Sequence, residues 1–100
     1  MLNITKYKEN GALTLALNGR LDTTTAPEFE EELKSSIDGV SALTLDLRGL
    51  EYISSAGLRV LLSAQKVMNR KGRMAIRNVR PEIMEIFDMV GFTDLLNIEE

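Results

Sequence analysis

The sequence predicts an α/β fold built on a mixed sheet of four to five strands. Strand and helix patterns follow one another along the 100 residues in the order strand, strand, helix, strand, helix, strand, helix. Each strand–helix–strand passage favours a right-handed crossover between parallel strands, whereas the first two strands are close enough to form a hairpin. The length and the 44% hydrophobic and 27% charged residues are typical of one compact domain, here residues 1–100.

The first two strands are predicted on either side of the pair Asn10-Gly11. Residues 2–7 are predicted to form the N-terminal strand. Leucines alternate with polar or small residues across 13–17, which is the period of a strand with one buried face. Asn-Gly favours a tight turn between two such strands. We expect Gly19 to end the second strand.

The first helix is predicted to begin at Thr25, because Glu28 follows three residues later in the pattern of a capping box. Apolar residues recur every four positions from Phe29 to Ile37, and Gly39 can serve as the C-cap, which gives about three turns of helix.

A third strand is predicted across residues 43–47, where leucines alternate again, and a polar turn over residues 48–51 is expected to follow it. Residues 74–76 supply a fourth strand further along the chain. Residues 95–98 either add a short edge strand or pack back against the domain.

The longest helix is predicted from Ala56 to Lys71, where apolar residues form a broad stripe. Ser54 or Ser55 is available as its N-cap, and Gly72 as its terminator.

The final helix is predicted to open at Pro81 and to run to Gly91, because proline is favoured at the first helical position.

Strand order places three turns together. If strands two, three and four are parallel, the turns at 19–25, 49–55 and 78–80 all leave the same carboxyl edge of the sheet. Asp22 and Ser55 are then expected to be neighbours on one surface.

Composition excludes several function classes. The formal net charge of −3 argues against nucleic-acid binding, which needs a basic patch. The chain has no cysteine and no histidine, so disulfides, thiolate metal sites and imidazole-activated nucleophiles are excluded. Asp22, Asp46 and Glu51 fit solvated or capping carboxylates better than a metal site. No apolar run approaches the roughly 20 residues of a membrane helix, so we expect a cytoplasmic protein with no membrane insertion, metal or cofactor.

The strand–turn–helix that carries Ser54 and Ser55 is an arrangement in which a catalytic serine can occur. The chain has no histidine to activate it, and the nearest lysine, Lys66, lies about three turns down the helix. The sequence therefore favours a protein that is not an enzyme.

A serine at a helix N-terminus is also a place where a phosphoryl group is tolerated. The unpaired N–H groups and the partial positive charge of the helix stabilise an anion there. A partner covering that surface would meet an added charge of about −1.5 to −2. The alternative is that Ser54 and Ser55 only cap the helix.

Residues 50–61, LEYISSAGLRVL, closely resemble the signature of the STAS domain family, the bacterial anti-sigma factor antagonists. Gly19 to Asp22 with the following threonines resemble the family's first conserved turn, and residues 87–92 resemble the end of its last helix. The resemblance spans nearly the whole chain. It implies a single STAS-like domain in which the helices pack mainly on one face of the mixed sheet.

The family's function implies a partner switch. An unphosphorylated antagonist binds an anti-sigma factor that is also a serine kinase and so releases a sigma factor. Phosphorylation dissociates the antagonist, and a serine phosphatase resets it. We expect the free protein to be a monomer.

The resemblance assigns the phosphate to Ser55, with Ser54 as the second candidate. The partner-binding residues that it implies are Gly19, Asp22, Thr23, Thr24, Ser54, Ser55, Ala56, Gly57 and Arg59. Two positions depart from the best-known antagonists, which carry aspartate where this chain has Ser54 and glycine where it has Arg59. Ser54 adds a second hydroxyl, and Arg59 adds a cation that could contact a phosphate or a partner acid.

Two other functions remain open. The chain could be a constitutive STAS interaction subunit of a transport or signalling complex, in which the serines are structural. It could also bind a nucleotide at the edge that carries Asp22 and Ser55, although the sequence has no phosphate-binding loop.

Overall fold

The computed structural model of the chain describes residues 1–99, and its elements follow the predicted order. The strands are β1 (Leu2–Glu9), β2 (Ala12–Leu21), β3 (Ala42–Ile53) and β4 (Arg73–Arg77), and the helices are α1 (Ala26–Ser36), α2 (Ser55–Lys71) and α3 (Pro81–Met89). A short 3₁₀ turn, Phe92–Asp94, follows α3. The fold is therefore α/β, as predicted.

The sheet has the order β1-β2-β3-β4. β1 and β2 are antiparallel, whereas β2–β3 and β3–β4 are parallel, so the prediction of a mixed sheet is confirmed. Asn10 and Gly11 form the hairpin turn with φ of 50° and 82°, the left-handed conformation that a two-residue hairpin favours. Of the predicted segment 95–98, only Ile98 bridges β4, through Ile76, so no further strand forms there.

β2 and β3 both extend beyond their predicted ends. Gly19 does not end β2, which continues to Leu21. Its φ of +110° is accessible to glycine, and a β-carbon there would lie 2.2 Å from the carbonyl oxygen of Met1. The predicted polar turn at 48–51 is also wrong, because β3 runs on to Ile53.

The extension of β3 contains two irregularities in its pairing with β2. One lies between Asp46 and Gly49 and the other between Leu50 and Tyr52, and each inserts an extra residue into β3. The buried residues there are Leu47, Leu50 and Ile53, three positions apart instead of two. The alternation of the sequence therefore stops before the strand does.

The helices cover one face of the sheet. The leucines of 13–17 and 43–47 are at most 1% exposed and pack with Phe29 of α1 and Leu61 of α2 in one core. The residues that alternate with them stay partly exposed: Thr14, Ala16, Thr44, Asp46 and Ala75. One face is thus buried and the other open, in keeping with helices packed mainly on one side.

The helix ends follow the predictions in part. α2 begins after Ser54 and ends at Gly72, as predicted. The capping box at Thr25 is wrong, because the Thr25 side chain makes no capping hydrogen bond to α1. The C-cap of α1 is Ile37 instead of Gly39, which lies in the following turn. No helix of residues 1–99 has the length and apolar character that crossing a membrane requires.

Candidate functional site

Two turns meet at the carboxyl edge of the sheet, the turn that follows β2 and the start of α2. β2 and β3 end side by side at Leu21 and Ile53, and the N–H of Ser54 donates to the carbonyl oxygen of Leu21 at 2.9 Å. This bond joins the start of α2 to the turn of residues 22–25. Arg80, after β4, donates from Nε to the carbonyl oxygen of Arg48 at 2.8 Å. Strand order therefore predicted correctly that the turn of Asp22 and the start of α2 share one edge. The turn of residues 78–80 does not join them, because β4 ends opposite Asp46, in the middle of β3.

Ser54 and Ser55 have different surroundings. Ser54 is the N-cap of α2, and its hydroxyl accepts a long hydrogen bond of 3.4 Å from the N–H of Gly57. Ser55 is the first helical residue and is exposed, and its hydroxyl makes no hydrogen bond within residues 1–99. The Ser55 hydroxyl is therefore the accessible one, whereas the Ser54 hydroxyl is already engaged.

The start of α2 provides a favourable environment for an anion. The helix has 17 residues, and its first turn contains no acidic side chain. The N–H groups of Ser55 and Ala56 have no carbonyl partner within the described part of the chain, as is usual for the first turn of a helix. Together with the helix dipole, these groups favour negative charge next to Ser55.

Two glycines among the predicted partner-binding residues have packing roles. Gly57 is buried, and a β-carbon there would lie 2.7 Å from Cγ of Leu21 and 2.9 Å from Cγ1 of Ile53. Because Gly57 has no side chain, α2 can begin directly on the ends of β2 and β3. Gly19 lies inside β2, against the backbone of Met1. Neither glycine offers a side chain to a partner.

Asp22 organises the turn between β2 and α1. Its Oδ1 accepts the N–H groups of Thr24 and Thr25, each at 3.0 Å. The hydroxyl of Thr25 in turn accepts the N–H of Asp22 at 2.9 Å and donates to the carbonyl oxygen of Arg20 at 2.8 Å. The hydrogen bond from the Thr25 N–H is the main reason that the pKa of Asp22 is lowered. Asp22 is thus an ionised turn residue as well as a surface acid.

The lowered pKa predicts how the stability of the protein depends on pH. A carboxyl with a lower pKa in the folded than in the unfolded chain stabilises fully above its unfolded value of about 3.9, and this contribution is lost as the pH falls through the folded value. We expect wild type to be more stable than Asp22→Asn at pH 7. The difference should narrow below about pH 4, in urea denaturation measured from pH 7 to pH 2. A difference that stays constant over this range would show that the charge of Asp22 contributes nothing.

Of the remaining predicted side chains, Thr23, Ala56 and Arg59 border a groove between α1 and α2, and Thr24 is not part of its lining. Thr23, Thr24 and Arg59 are exposed, and Ala56 is partly exposed. The groove is lined by Thr23, Ala26, Pro27, Glu30, Ala56, Arg59, Val60 and Ser63. Its lining includes Ala56, which follows Ser55 in the first turn of α2.

Sequence reasoning missed an exposed pair at the same edge, Arg20 and Tyr52. They are paired across β2 and β3, with the Arg20 guanidinium 4.3 Å from the centre of the Tyr52 ring. Arg20 also lies 4.0 Å from Asp22. Arginine and tyrosine are enriched in protein interfaces. Both residues lie in the parts of β2 and β3 that extend beyond the predicted strands, so the sequence pattern did not indicate that they are neighbours.

Of the acidic residues that could suggest a metal site, Asp46 is engaged in other contacts. Asp46 accepts hydrogen bonds from the side chain of Asn78 and the N–H of Arg48, each at 3.0 Å. Within residues 1–99, no three acidic side chains converge in a way that could hold a metal ion.

Comparison with known proteins identifies relatives over almost the whole chain. The family model described as the STAS domain matches residues 3–100. BtrV of Bordetella bronchiseptica is 34% identical over 99 residues, covering 97% of this chain and 85% of BtrV. The anti-sigma F factor antagonist of Paenibacillus polymyxa is 30% identical, covering 97% of this chain and 86% of the relative.

Solved structures share the fold. An anti-sigma factor antagonist from Mycobacterium paratuberculosis has a TM-score of 0.89 at 19% identity, covering 98% of this chain and 85% of the other. The phosphorylated form of SpoIIAA from Bacillus has a TM-score of 0.75 at 16% identity, covering all of this chain and 92% of the other.

Proposed function

The chain belongs to the STAS domain family, and from this premise we propose that it is an anti-sigma factor antagonist that phosphorylation of Ser55 switches off. The unphosphorylated protein binds an anti-sigma factor with serine kinase activity and thereby releases a sigma factor. A serine phosphatase restores the binding form. The protein acts as a cytoplasmic monomer, and its role is binding and not catalysis.

The observation that carries the proposal is the position of the Ser55 hydroxyl. It is exposed at the first residue of α2, on the same edge as the Asp22 turn, and makes no hydrogen bond within residues 1–99. A kinase can reach it without opening the fold. The neighbouring hydroxyl of Ser54 is the cap of α2, so its modification would disturb the helix start.

The modification itself is a phosphoryl transfer from ATP. Oγ of Ser55 forms a bond to the γ-phosphorus, the bond from that phosphorus to ADP breaks, and a base of the kinase accepts the hydroxyl proton. The reset is hydrolysis, in which water replaces Oγ on phosphorus and inorganic phosphate leaves. This chain supplies the acceptor oxygen and its surroundings, and the other proteins supply the catalytic groups.

The phosphate should leave the fold intact and still exclude the partner. At the start of α2 it meets N–H groups and the positive end of the helix, which stabilise it. A phosphorylated structural relative that retains the fold supports this expectation. A partner that covers the same surface has to desolvate a charge of about −1.5 to −2, which costs affinity unless the partner provides a matching cation.

The test incubates the protein with ATP and its purified partner, the anti-sigma factor with serine kinase activity, and locates the phosphate by mass spectrometry. We expect one phosphate on Ser55 in wild type, none in Ser55→Ala, and unchanged modification of Ser55 in Ser54→Ala. Ser54→Ala should also lose about 0.5–1 kcal/mol of stability, because it removes the cap of α2.

Modification of Ser54 alone, or of neither serine, would overturn the assignment to Ser55. A protein that binds its partner equally well before and after incubation with kinase and ATP would instead support a constitutive interaction module.

A further inference from the structure

Arg59 lies one turn beyond Ser55 on the exposed side of α2. The two residues are four positions apart, so their side chains are neighbours on the helix surface. Side chains of an α-helix lean toward its N-terminus, so an extended Arg59 side chain can reach the turn that begins at Ser55. Arg59 is exposed and forms no ion pair with any residue of 1–99.

The acidic side chains near this turn, Glu30 and Asp22, form no ion pair with Arg59. Glu30 of α1 borders the same groove but is not within ion-pair distance of Arg59. Asp22 is bound through Oδ1 to the N–H groups of Thr24 and Thr25, and its other oxygen faces Arg20. A phosphoryl group on Ser55 would carry more charge than either carboxylate and would lie on the same helix turn as Arg59.

Resting on the proposed function, we propose that Arg59 is the positioning residue for the phosphoryl group of modified Ser55. The guanidinium folds back along α2 and donates to the phosphate oxygens, while the N–H groups of the first turn contact the same phosphate from the helix end. The phosphate is then held against α2 instead of extending into solvent. Arg59 takes no part in the transfer of the phosphoryl group.

The test introduces phosphoserine at position 55 during translation and follows its ³¹P resonance against pH at 0.1 M salt. A cation beside the phosphate favours the dianion and lowers the second phosphate pKa. We expect Arg59→Gln to raise that pKa by about 0.2–0.7 pH units, the shift that corresponds to an exposed ion pair, and Arg59→Lys to restore part of it.

Lys66→Gln is the matched control, because it removes one exposed cation from the same helix. Lys66 is about 16 Å along the axis from Ser55, beyond the screening length of about 10 Å at this salt concentration. A shift in Arg59→Gln no larger than that in Lys66→Gln would overturn the proposal. So would an Arg59 Nε–H resonance that is the same in the phosphorylated and unphosphorylated proteins.

These outcomes are independent of the kinase, because the phosphoserine is introduced without it. If no kinase modifies Ser55 but the ³¹P shift is observed, the proposed function fails while the role of Arg59 stands. If the kinase modifies Ser55 and the shift is absent, the role of Arg59 fails alone.

Discussion

Ser55→Glu should weaken binding to the anti-sigma factor by roughly 30- to 1,000-fold, the loss expected when a buried contact gains an unpaired charge. Ser55 is exposed at the start of α2, where a partner would have to desolvate the new carboxylate. The affinity is measured by titration calorimetry with the purified partner. Ser55→Ala should bind like wild type, because it removes only a hydroxyl that has no hydrogen bond within residues 1–99.

The thermal stability of Ser55→Glu should stay within a few degrees of wild type. A carboxylate in the first turn interacts favourably with the helix dipole, by about 0.3–1 kcal/mol. The loss of affinity therefore cannot be attributed to unfolding. Ser41→Glu is a suitable control, because Ser41 is exposed just before β3, at the opposite edge of the sheet. If Ser41→Glu weakened binding as much as Ser55→Glu, exclusion by local charge would be refuted.

Regular patterns in the sequence predicted most of the fold. The alternating leucines of 13–17 and 43–47 and the long apolar stripe of α2 each repeat with one period, and the structure contains the corresponding strands and helix. Strand order then predicted that the turns of Asp22 and Ser55 leave the same edge. That inference needed only the direction of the strands, and so it did not depend on exact strand ends.

The sequence pattern did not predict the end of β3, because the pairing of β3 with β2 is irregular there. The extra residues in β3 change the spacing between the buried residues Leu47, Leu50 and Ile53 from two positions to three. The alternation of buried and exposed residues therefore stops in the sequence, although the strand continues. Arg20 and Tyr52 face each other only in the register that these irregularities create.

Thr25 is the N-cap of α1, as predicted, but the hydrogen bonds of a capping box do not form there. The spacing of Thr25 and Glu28 fits a capping box, but Asp22 binds the N–H of Thr25 that Glu28 would accept. The Thr25 hydroxyl donates to the carbonyl oxygen of Arg20. Two local hydrogen-bonding patterns fit the same residues, and the sequence alone does not decide between them.

Phe29→Ala should give a large loss of stability, about 3–5 kcal/mol in chemical denaturation at 25 °C. Phe29 is 0% exposed in the core between α1 and the sheet, so its truncation removes buried apolar surface and leaves a cavity. For a domain whose total stability is of the order of 5–15 kcal/mol, this is a large fraction. Phe92→Ala is the matched control, because Phe92 is only partly buried, and it should cost less.

The same variant separates stability from recognition. Phe29 has no exposed surface and cannot touch a partner, so the folded fraction of Phe29→Ala should bind the anti-sigma factor like wild type. Its apparent affinity should fall only in proportion to the fraction that is unfolded. Ser55→Glu should show the opposite pattern, with full folding and weak binding. If folded Phe29→Ala bound much more weakly than its folded fraction requires, the surface at the start of α2 would depend on the packing of α1, and a rigid docking surface would no longer describe this site.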